Sequence, residues 1–483
     1  MLLSRSLPAL ALQVLCLSAI ALSLPSVSKP TAKRSLTFSN PAANAFYVGS
    51  SIPQVSFDVG DSWAGLLPIS AKSKEERKLF FWMFPSQSNV GSDDLVIWLN
   101  GGPGCSSLQS LLQENGPISF QPGQPGPTPN PYSWTTAANV MWIDQPVGTG
   151  YSAGKPDITD DVKGADEFVG FLGQFFSTFT ELQGKKLWLT GESFAGMYIP
   201  YISNHIYGHP ELKNAGINLQ GFLLFDASIS YNVVLETIPT VAFLDQWNDV
   251  LKLNSTFVSQ VQAASDDCGY TDYMAKYVTY PPNGPLPLPG GSSSVSSHCD
   301  IYNQALAAAK LANPCYHRHH FMDECPKPAD PLKTKKGIPN FFENPDLQAA
   351  LHVSPREWTE CGGTGTAYED TDHSPRPGPA GILTPVIDNS TRVVFGHGYL
   401  DMRLFSNGTR IALQNLTFGG MQGFQNPIDK PWIIDGQGQV GVYQQERNVL
   451  YVESTAAGHE FPEYAPLPAL KALQWLLGQI SSL

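Results

Sequence analysis

The chain has 483 residues, of which 42% are hydrophobic, 11% aromatic and 15% charged. This composition provides a sizeable core and excludes a disordered chain, and the length fits about three domains or one large α/β core with an insertion. Acidic residues outnumber basic ones 42 to 29, for a net charge of -13. Such a balance lacks the positive potential that attracts phosphates, so nucleic acid is not expected as a partner.

The N-terminus has the order of a secretory signal, which we predict to cover about residues 1–28. Arg5 precedes an apolar run from Leu7 to Leu24, and small residues follow. A membrane anchor is the alternative, but the run is short, contains Gln13, and is followed by no second apolar span of ~18 residues. We therefore expect a secreted protein, with the vacuole as the alternative, and no membrane contact in the mature form.

Cysteines and sequons agree with secretion. Of seven cysteines, Cys16 lies in the predicted signal, and the remaining six are typical of three disulfides: Cys105, Cys268, Cys299, Cys315, Cys325 and Cys361. The residues alone do not determine how these six cysteines pair. No C-x-x-C pair is present to suggest a zinc site. Four N-x-S/T sequons begin at asparagines that should be accessible if they are glycosylated: Asn254, Asn389, Asn407 and Asn415.

Short apolar runs alternate with helical patterns along most of the chain. The runs predict strands buried on both faces: Leu95–Leu99, Val140–Ile143, Leu187–Leu189, Gly221–Phe225, Arg392–Phe395 and Asn448–Val452. Apolar residues at three- and four-residue intervals predict helices over Val162–Leu182 and Leu467–Leu477. This alternation predicts an α/β fold with a mixed, mostly parallel sheet flanked by helices.

The alternation is interrupted over residues 228–335. This stretch holds four of the six cysteines and a segment rich in Pro, Gly and Ser. We interpret it as a disulfide-stapled insertion between a first core part, residues 45–227, and a second, residues 336–483.

The first chemical signal is a serine at a strand-to-helix turn. The segment from Gly191 to Ala195 reads G-x-S-x-A and follows the apolar strand Leu187–Leu189, an arrangement similar to a nucleophile elbow. Ser193 would be the nucleophile. As a lone match the motif is weak, because a serine in such a turn can also serve only as a turn or cap residue.

An acid and a base follow later strands in the order that an α/β hydrolase requires. Asp401 comes shortly after Arg392–Phe395, and His459 follows the strand that ends at Val452. Carboxyl ends of parallel strands share one sheet edge, so Ser193, Asp401 and His459 are predicted to meet there. His397 is the competitor for His459 but would reverse the order. Two other aspartates are weaker candidates because neither directly follows a clear strand: Asp388 and Asp435.

Four segments together resemble the serine carboxypeptidase family, in particular its secreted fungal members. They are Asn-Gly-Gly-Pro-Gly-Cys-Ser-Ser at residues 100–107, Ile-Asp-Gln-Pro-Val-Gly-Thr-Gly-Tyr-Ser at 143–152, Gly-Glu-Ser-Phe-Ala-Gly at 191–196, and Gly-His at 458–459. The resemblance spans about residue 45 to the C-terminus. It implies an α/β-hydrolase fold and release of single residues from the C-termini of peptides and proteins at acidic pH.

The family pattern also implies residue roles. Ser193 would attack the last peptide bond, His459 would transfer protons, and Asp401 would hold the imidazole. The backbone N–H groups of Gly102 and Phe194 would form the oxyanion hole.

The substrate's terminal carboxylate would be bound by hydrogen bonds rather than by a basic residue. By resemblance the ligands are Asn100, the backbone of Gly101, Glu114 and Glu192. Two glutamates beside a third carboxylate cannot all ionise, so their pKa values must rise and activity in acid follows.

The resemblance pairs Cys105 with Cys361 and leaves the other four cysteines to pair inside the insertion, in a nested or a sequential scheme. Two departures from the family pattern stand out. Asp226-Ala-Ser228 replaces a glycine-asparagine-glycine segment and is expected to alter the pocket wall. Phe194 stands where tyrosine is usual, which is harmless if only its N–H is used.

Two further motifs receive structural interpretations. Residues 436–441 fit G-x-G-x-x-G, but a strand pattern follows, so a hairpin turn is predicted instead of a dinucleotide site. The run His317-Arg-His-His320 fits no usual metal spacing and is predicted to be a surface loop. No metal and no cofactor are predicted, and the oligomeric state is left open.

The favoured function is therefore a secreted acid serine carboxypeptidase acting on peptide or protein C-termini. An acyltransferase that uses the same acyl-enzyme is the enzymatic alternative. A non-catalytic binding protein on the same scaffold is the other alternative, and it is disfavoured because every catalytic position is filled.

Overall fold

The structure is a computed structural model, and it describes residues 36–323, 325–335, 339–362 and 373–483. The predicted signal, residues 1–28, lies outside the described residues. Among the residues described, no helix combines the length and the apolar character needed to cross a bilayer.

A ten-stranded sheet runs through the molecule in the order β1-β2-β6-β3-β7-β8-β9-β14-β13-β12. Its strands are β1 (Trp63–Pro68), β2 (Lys78–Phe84), β3 (Asp94–Leu99), β6 (Asn139–Asp144), β7 (Lys186–Glu192), β8 (Asn218–Phe225), β9 (Arg392–Gly398), β12 (Lys430–Ile434), β13 (Gly438–Glu446) and β14 (Val449–Ser454). Two small hairpins pair β4 (Ile118–Ser119) with β5 (Thr128–Pro129) and β10 (Thr417–Phe418) with β11 (Met421–Gln422).

The six strands from β6 to β14 in this order are parallel to their neighbours, and the flanking strands are antiparallel. The parallel strands are the six predicted from the apolar runs, so that prediction is confirmed. The antiparallel strands β1, β2, β12 and β13 complete the sheet at its two edges. The G-x-G-x-x-G segment overlaps the turn between β12 and β13 and continues into β13, as the hairpin interpretation predicts.

The α-helices are α1 (Leu108–Gln113), α2 (Asp161–Thr178), α3 (Ala195–Gly208), α4 (Thr240–Leu251), α5 (Ser255–Cys268), α6 (Tyr273–Tyr277), α7 (Ile301–Ala312), α8 (Pro345–Ala350), α9 (Leu383–Asn389), α10 (Ser406–Asn415), α11 (Phe461–Tyr464) and α12 (Pro466–Leu476). Short 3-10 turns cover Pro41–Phe46, Trp134–Thr136, Thr180–Leu182, Pro210–Ala215, Pro289–Gly291 and Phe341–Glu343, and a π-helical turn covers Val233–Thr237.

Hydrophobic cores lie on both faces of the sheet. Along β3, Ile97 points into one core and Trp98 into the other, as the alternation of side chains in a strand requires. The first core contains the apolar faces of α2 and α3, and the second contains those of α1 and α12. Because both faces are covered, the central strands are apolar at almost every position.

Helix α2 illustrates how the sequence sets its own boundaries. Its first turn is capped by the Asp160 side chain, which accepts the Lys163 N–H at 2.8 Å. Its buried residues, including Phe168 and Phe175, recur on one face and pack into the first core. The predicted helix therefore exists, and it ends at Thr178, four residues before the predicted Leu182.

The chain between β8 and β9 contains helices α4 to α9 and two of the three disulfides. Cys268 pairs with Cys299, and Cys315 pairs with Cys325, so the pairing here is sequential. The third bridge joins Cys105 to Cys361, as the resemblance implies, and ties the glycine-rich segment to the later part of the chain. The proposed boundaries of the insertion, residues 228–335, stay a prediction.

Candidate active site

Ser193 lies in the sharp turn between β7 and α3, with a backbone φ of +58°. Positive φ is uncommon for a residue with a side chain and persists where the surroundings fix it. Here the Ser193 N–H donates to the carbonyl of Phe225 at 3.0 Å, and the Ser193 carbonyl accepts the Ser228 N–H at 2.9 Å. Ser193 is half-buried, whereas Glu192 before it is buried. The fold thus holds the serine in a strained turn at the carboxyl edge of the sheet.

Gly101 passes directly against this turn. A Cβ on Gly101 would lie 2.4 Å from the backbone nitrogen of Phe194 and 2.7 Å from the Cβ of Ser193. Only a glycine allows two backbones to approach so closely. Gly102, the next residue, has a φ of +107°, which also favours glycine. The segments that carry the two predicted oxyanion donors, Gly102 and Phe194, are therefore in contact beside Ser193.

Asp401 and His459 meet at the ends of β9 and β14. The Nδ1 atom of His459 lies 2.7 Å from Oδ2 of Asp401, and both side chains are buried. The other oxygen, Oδ1, accepts the N–H groups of Arg403 at 2.5 Å and Leu404 at 3.2 Å. Burial alone would raise the pKa of Asp401, but the neighbouring imidazoles, His459 first, hold it well below its usual range. Asp401 is therefore an ionised, fixed partner for His459.

The loops of Ser193 and His459 are joined through the end of β8. The Phe225 carbonyl accepts the Ser193 N–H, and the Phe225 ring stacks on Phe461 with centroids 4.3 Å apart. Phe461 follows His459 by two residues. Strands β7, β8, β9 and β14 are consecutive neighbours and parallel, so the three candidate residues are on one sheet edge.

His397, the competitor for His459, is enclosed by protein. Its Nε2 atom lies 3.0 Å from the Leu404 carbonyl, and its Nδ1 atom lies 2.9 Å from the Thr409 hydroxyl. Oxygens of Asp226 and Asp401 lie 3.3 and 3.5 Å from Nε2. Burial would lower the pKa of His397, but these carboxyl groups raise it to about 9. Because both ring nitrogens are engaged inside the protein, His397 is a buried cation rather than a base facing substrate.

Asp226 is a buried acid directly after the end of β8. Its backbone has a φ of +47°, and its Oδ1 accepts the Gly398 N–H at 2.7 Å. The side chain is fully buried and faces His397. Asp226 is therefore a buried acid that contacts the loop of Asp401, and the expected effect of this segment on the pocket wall stays a prediction. Asp226, His397 and Asp401 offer ligand-type atoms within 4.8 Å of one another, but hydrogen bonds occupy both nitrogens of His397.

The four predicted carboxylate ligands also lie together. The amide nitrogen of Asn100 lies 3.3 Å from Oε1 of Glu192, and its oxygen accepts the Ser110 hydroxyl at 2.6 Å. The same hydroxyl contacts Oε1 of Glu114. All of these side chains are buried, and Gly101 follows Asn100 directly. The carboxyl groups of Glu114 and Glu192 are also within hydrogen-bonding range of each other.

This carboxyl cluster is protonated more readily than ordinary glutamates. Burial raises the pKa of Glu114 to about 8. Burial, followed by the nearby Glu114 carboxyl, also raises the pKa of Glu192 well above its usual value. Both glutamates therefore retain protons in acid, when each can donate a hydrogen bond to an anion.

Sequence reasoning missed one residue of this region, His319. Its ring lies against the ring of His459 with centroids 4.7 Å apart, and its Nδ1 lies 2.7 Å from Oε1 of Glu460. The adjacent His320 is 9% exposed and stacks on Tyr464. Residues 317–320 do form a loop, but it is half-buried at positions 317–319 and buried at His320 rather than fully exposed. The only signal in the sequence was the density of histidines, because the contact depends on how the insertion packs on the core.

The sequons differ in exposure. Asn254, Asn389 and Asn415 are exposed, and Asn407 is half-buried. Asn254 caps α5, and the side-chain oxygen of Asn415 accepts the Leu286 N–H.

The two weaker aspartates lie away from the candidate site, since Asp388 binds the Gly419 N–H and Asp435 lies in the β12–β13 turn.

The sheet order, the helices on both faces and the strained serine turn define an α/β hydrolase. A crystal structure of a prohormone-processing carboxypeptidase from Saccharomyces cerevisiae superposes with a TM-score of 0.71 at 22% identity, and the match covers 91% of this chain and 97% of that one.

The family model described as serine carboxypeptidase matches residues 53–479. The chain is 39% identical over 447 residues to a carboxypeptidase Y homolog of Arthroderma benhamiae, a match that covers 91% of this chain and 88% of the relative. It is 34% identical over 473 residues to serine-type carboxypeptidase F of Aspergillus niger, with 90% and 87% covered. The chain belongs to the serine carboxypeptidase family.

Proposed function

We propose that the protein releases single residues from the C-termini of peptides in acid, through an acyl-enzyme formed on Ser193. The observation that carries this proposal is the position of Glu192, which directly precedes Ser193 and belongs to the buried cluster with Asn100 and Glu114. A hydrolase with a carboxyl-binding group at this point recognises the end of a chain rather than its middle.

The chemistry begins at Ser193. His459 takes the proton of the serine hydroxyl as Oγ attacks the carbonyl carbon of the last peptide bond. Asp401 accepts the Nδ1–H of His459 and so keeps Nε2 free to act as the base. Burial lowers the pKa of His459, which favours the neutral form required for this step. The imidazolium then donates its proton to the leaving amino acid, and a water molecule hydrolyses the ester by the same route.

The tetrahedral intermediate carries a negative oxygen that needs donors. The Gly102 and Phe194 N–H groups are assigned this role, supported by the close approach of Gly101 to Ser193. Loss of one such donor typically costs about 3 kcal/mol of transition-state stabilisation. The glycines are thus expected to be required for catalysis as well as for the turn.

The terminal carboxylate of the substrate is assigned to Asn100, Gly101, Glu114 and Glu192. Protonated glutamates donate hydrogen bonds to the substrate carboxylate, whereas ionised glutamates repel it. Because burial raises the pKa values of both glutamates, binding is strongest in acid and weakens as the pH rises. This is the physical reason to expect acid activity.

The test uses a peptide with a free C-terminus and the same peptide with an amidated C-terminus, each incubated at roughly pH 4–5. Mass spectrometry should show stepwise loss of single residues from the free peptide, slow loss from the amide, and no loss with S193A. Labelling of wild type by a fluorophosphonate should place one adduct on Ser193. Internal cleavage, or folded wild type without label, would contradict the proposal. Transfer of the acyl group to an added alcohol with little hydrolysis would favour the acyltransferase.

Secretion forms part of the same proposal. It is supported by the three disulfides, which persist in oxidising compartments, and by the exposure of three of the four sequon asparagines. Expression of the full chain in a yeast should yield active protein in the medium with an N-terminus beyond about residue 28. Active protein confined to the vacuole would favour the alternative compartment.

A further inference from the structure

Residues 316–323, which we call the histidine loop, connect the two loops that carry Asp401 and His459. The loop is bounded by the Cys315–Cys325 disulfide. Three backbone hydrogen bonds make the connection: Met402 N–H to the Arg318 carbonyl at 2.8 Å, Phe321 N–H to the Leu400 carbonyl at 3.2 Å, and His459 N–H to the His319 carbonyl at 2.6 Å. The histidine loop therefore fixes the backbone on both sides of Asp401 and at His459 itself.

The approach of this loop is close. A Cβ on Gly458 would lie 2.3 Å from the His319 carbonyl oxygen. Gly458 therefore has to be glycine for the histidine loop to reach the base, which explains the Gly-His pair in structural terms. The histidine loop of the insertion therefore packs closely against the loop of the core that carries His459.

The His319 side chain adds a charge to this contact between the two loops. Its ring faces the His459 ring, and its Nδ1 pairs with Glu460 at 2.7 Å. Burial would lower the pKa of His319, but the Glu460 carboxylate raises it above its usual value. In turn, burial would raise the pKa of Glu460, but His319 outweighs this and lowers it to about 2. An imidazolium and a carboxylate thus lie beside the base.

Other charged groups face the same place. Asp401 contacts His459 and raises its pKa, which favours the protonated imidazole, and Glu460 has the same effect more weakly. His319 lowers the pKa of His459 and so favours the neutral imidazole. His317 lies 5.0 Å from His319 between ring centroids, but burial lowers its pKa to about 4, so it is neutral over most of the working range. His319 is therefore the cation in the histidine loop that directly faces the ring of His459.

We propose that His319 is a positioning residue for the catalytic base, holding the backbone of His459 and placing a second, charged imidazole against its ring. The proposal rests on the proposed function, in which His459 is that base. A neighbouring positive charge opposes protonation of His459, so the base stays neutral at lower pH than Asp401 and Glu460 alone would allow. Activity then extends further into acid.

The experiment measures the rate of fluorophosphonate labelling against pH for wild type and H319Q. This reagent reports the reactivity of Ser193 and does not need the carboxyl cluster. Glutamine keeps the backbone carbonyl and an amide donor for Glu460 but removes the charge. We expect the acid midpoint of the profile to move to higher pH by roughly one unit, because charges about 5 Å apart interact by more than 1 kcal/mol.

The matched control is H298Q, since His298 pairs with Asp267 at 3.2 Å in the same part of the chain but is exposed. Its profile should coincide with that of wild type. In H319K the positive charge is restored, and the midpoint should return toward the wild-type value. Thermal unfolding of each variant verifies the fold, and if H319Q fails to fold, the midpoint of H319K decides alone.

A midpoint in folded H319Q that coincides with wild type would overturn the role of His319, as would an H319K profile displaced to higher pH than wild type. Absence of labelling in folded wild type has a different meaning. It would overturn the proposed function itself.

Discussion

Gly101 and Ser193 lie so close that a Cβ added to Gly101 would be 2.7 Å from the Cβ of Ser193. A methyl group at this place must push the glycine-rich segment away from the serine turn. Displacements of about 1 Å in an active site commonly cost about 100-fold in rate. We therefore expect G101A to lower kcat by at least about 100-fold while the protein still folds, measured by peptide hydrolysis and thermal unfolding.

The control for this substitution is G173A, because Gly173 lies in α2 and a Cβ there meets no atom within 4 Å. Alanine in a helix is more stable than glycine by about 0.5–1 kcal/mol, so this variant should keep full activity. Wild-type kcat in G101A would show that the close approach is not needed for catalysis.

His459 and His397 both face Asp401, and their contacts predict different consequences of substitution. H459Q removes the base, so labelling of Ser193 should fall by about 1,000-fold or more with the fold retained. H397Q removes a buried cation from between Asp226 and Asp401, so its main effect should be a lower free energy of unfolding, with labelling still detectable. Labelling by H459Q at the wild-type rate, or its complete loss in folded H397Q, would reverse the two roles.

The sequence predicted the parallel centre of the sheet because strands covered on both faces are continuous apolar runs, as in Leu95–Leu99. The sheet edge formed by β12 and β13 gave weaker signals. Strand β12 is exposed at three of its five positions, and β13 contains glycine and glutamine, so neither reads as a buried run. Pairing with neighbouring strands, rather than a local apolar pattern, determines β12 and β13.

The candidate site also contains residues that the sequence predicts and one residue, His319, that it does not. Ser193, Asp401 and His459 could be proposed because each follows a predicted strand, and parallel strands end at one edge. His319 follows no strand and lies far along the chain from its neighbours in space. Its place against His459 arises from backbone hydrogen bonds between the insertion and the core, which no periodicity in the sequence encodes.

Peptide binding should weaken as the pH rises. Between roughly pH 5 and 8 the substrate carboxylate stays ionised, while the Glu114–Glu192 pair loses a proton and begins to repel it. We expect KM for a free-acid peptide to rise at least about tenfold over this range, which corresponds to about 1.4 kcal/mol. The E192Q variant should have a flatter dependence.

Esters or amides without a terminal carboxylate serve as the control substrates, since their KM should change little with pH. The exposed Glu211 offers the control variant E211Q, which should behave as wild type. Parallel KM profiles for the acid and the amide would contradict the assignment of the glutamates to the substrate terminus.

The free energy of unfolding should depend on pH for the same reason. In the unfolded chain a glutamate titrates near 4.3, whereas burial raises the pKa of Glu114 to about 8 in the folded protein. A raised folded pKa means that the stabilising contribution is complete below the unfolded value and is lost as the pH rises through the folded one.

The E114Q/E192Q double variant has no such loss. Wild type should therefore lose stability relative to this variant between pH values of roughly 4 and 8, by on the order of 4 kcal/mol. Urea unfolding at both pH values measures the difference, with E357Q as the exposed control. A stability difference that is constant with pH would mean that both carboxyl groups are ionised in the folded protein, and the carboxylate-binding cluster would then have to recognise its substrate in another way.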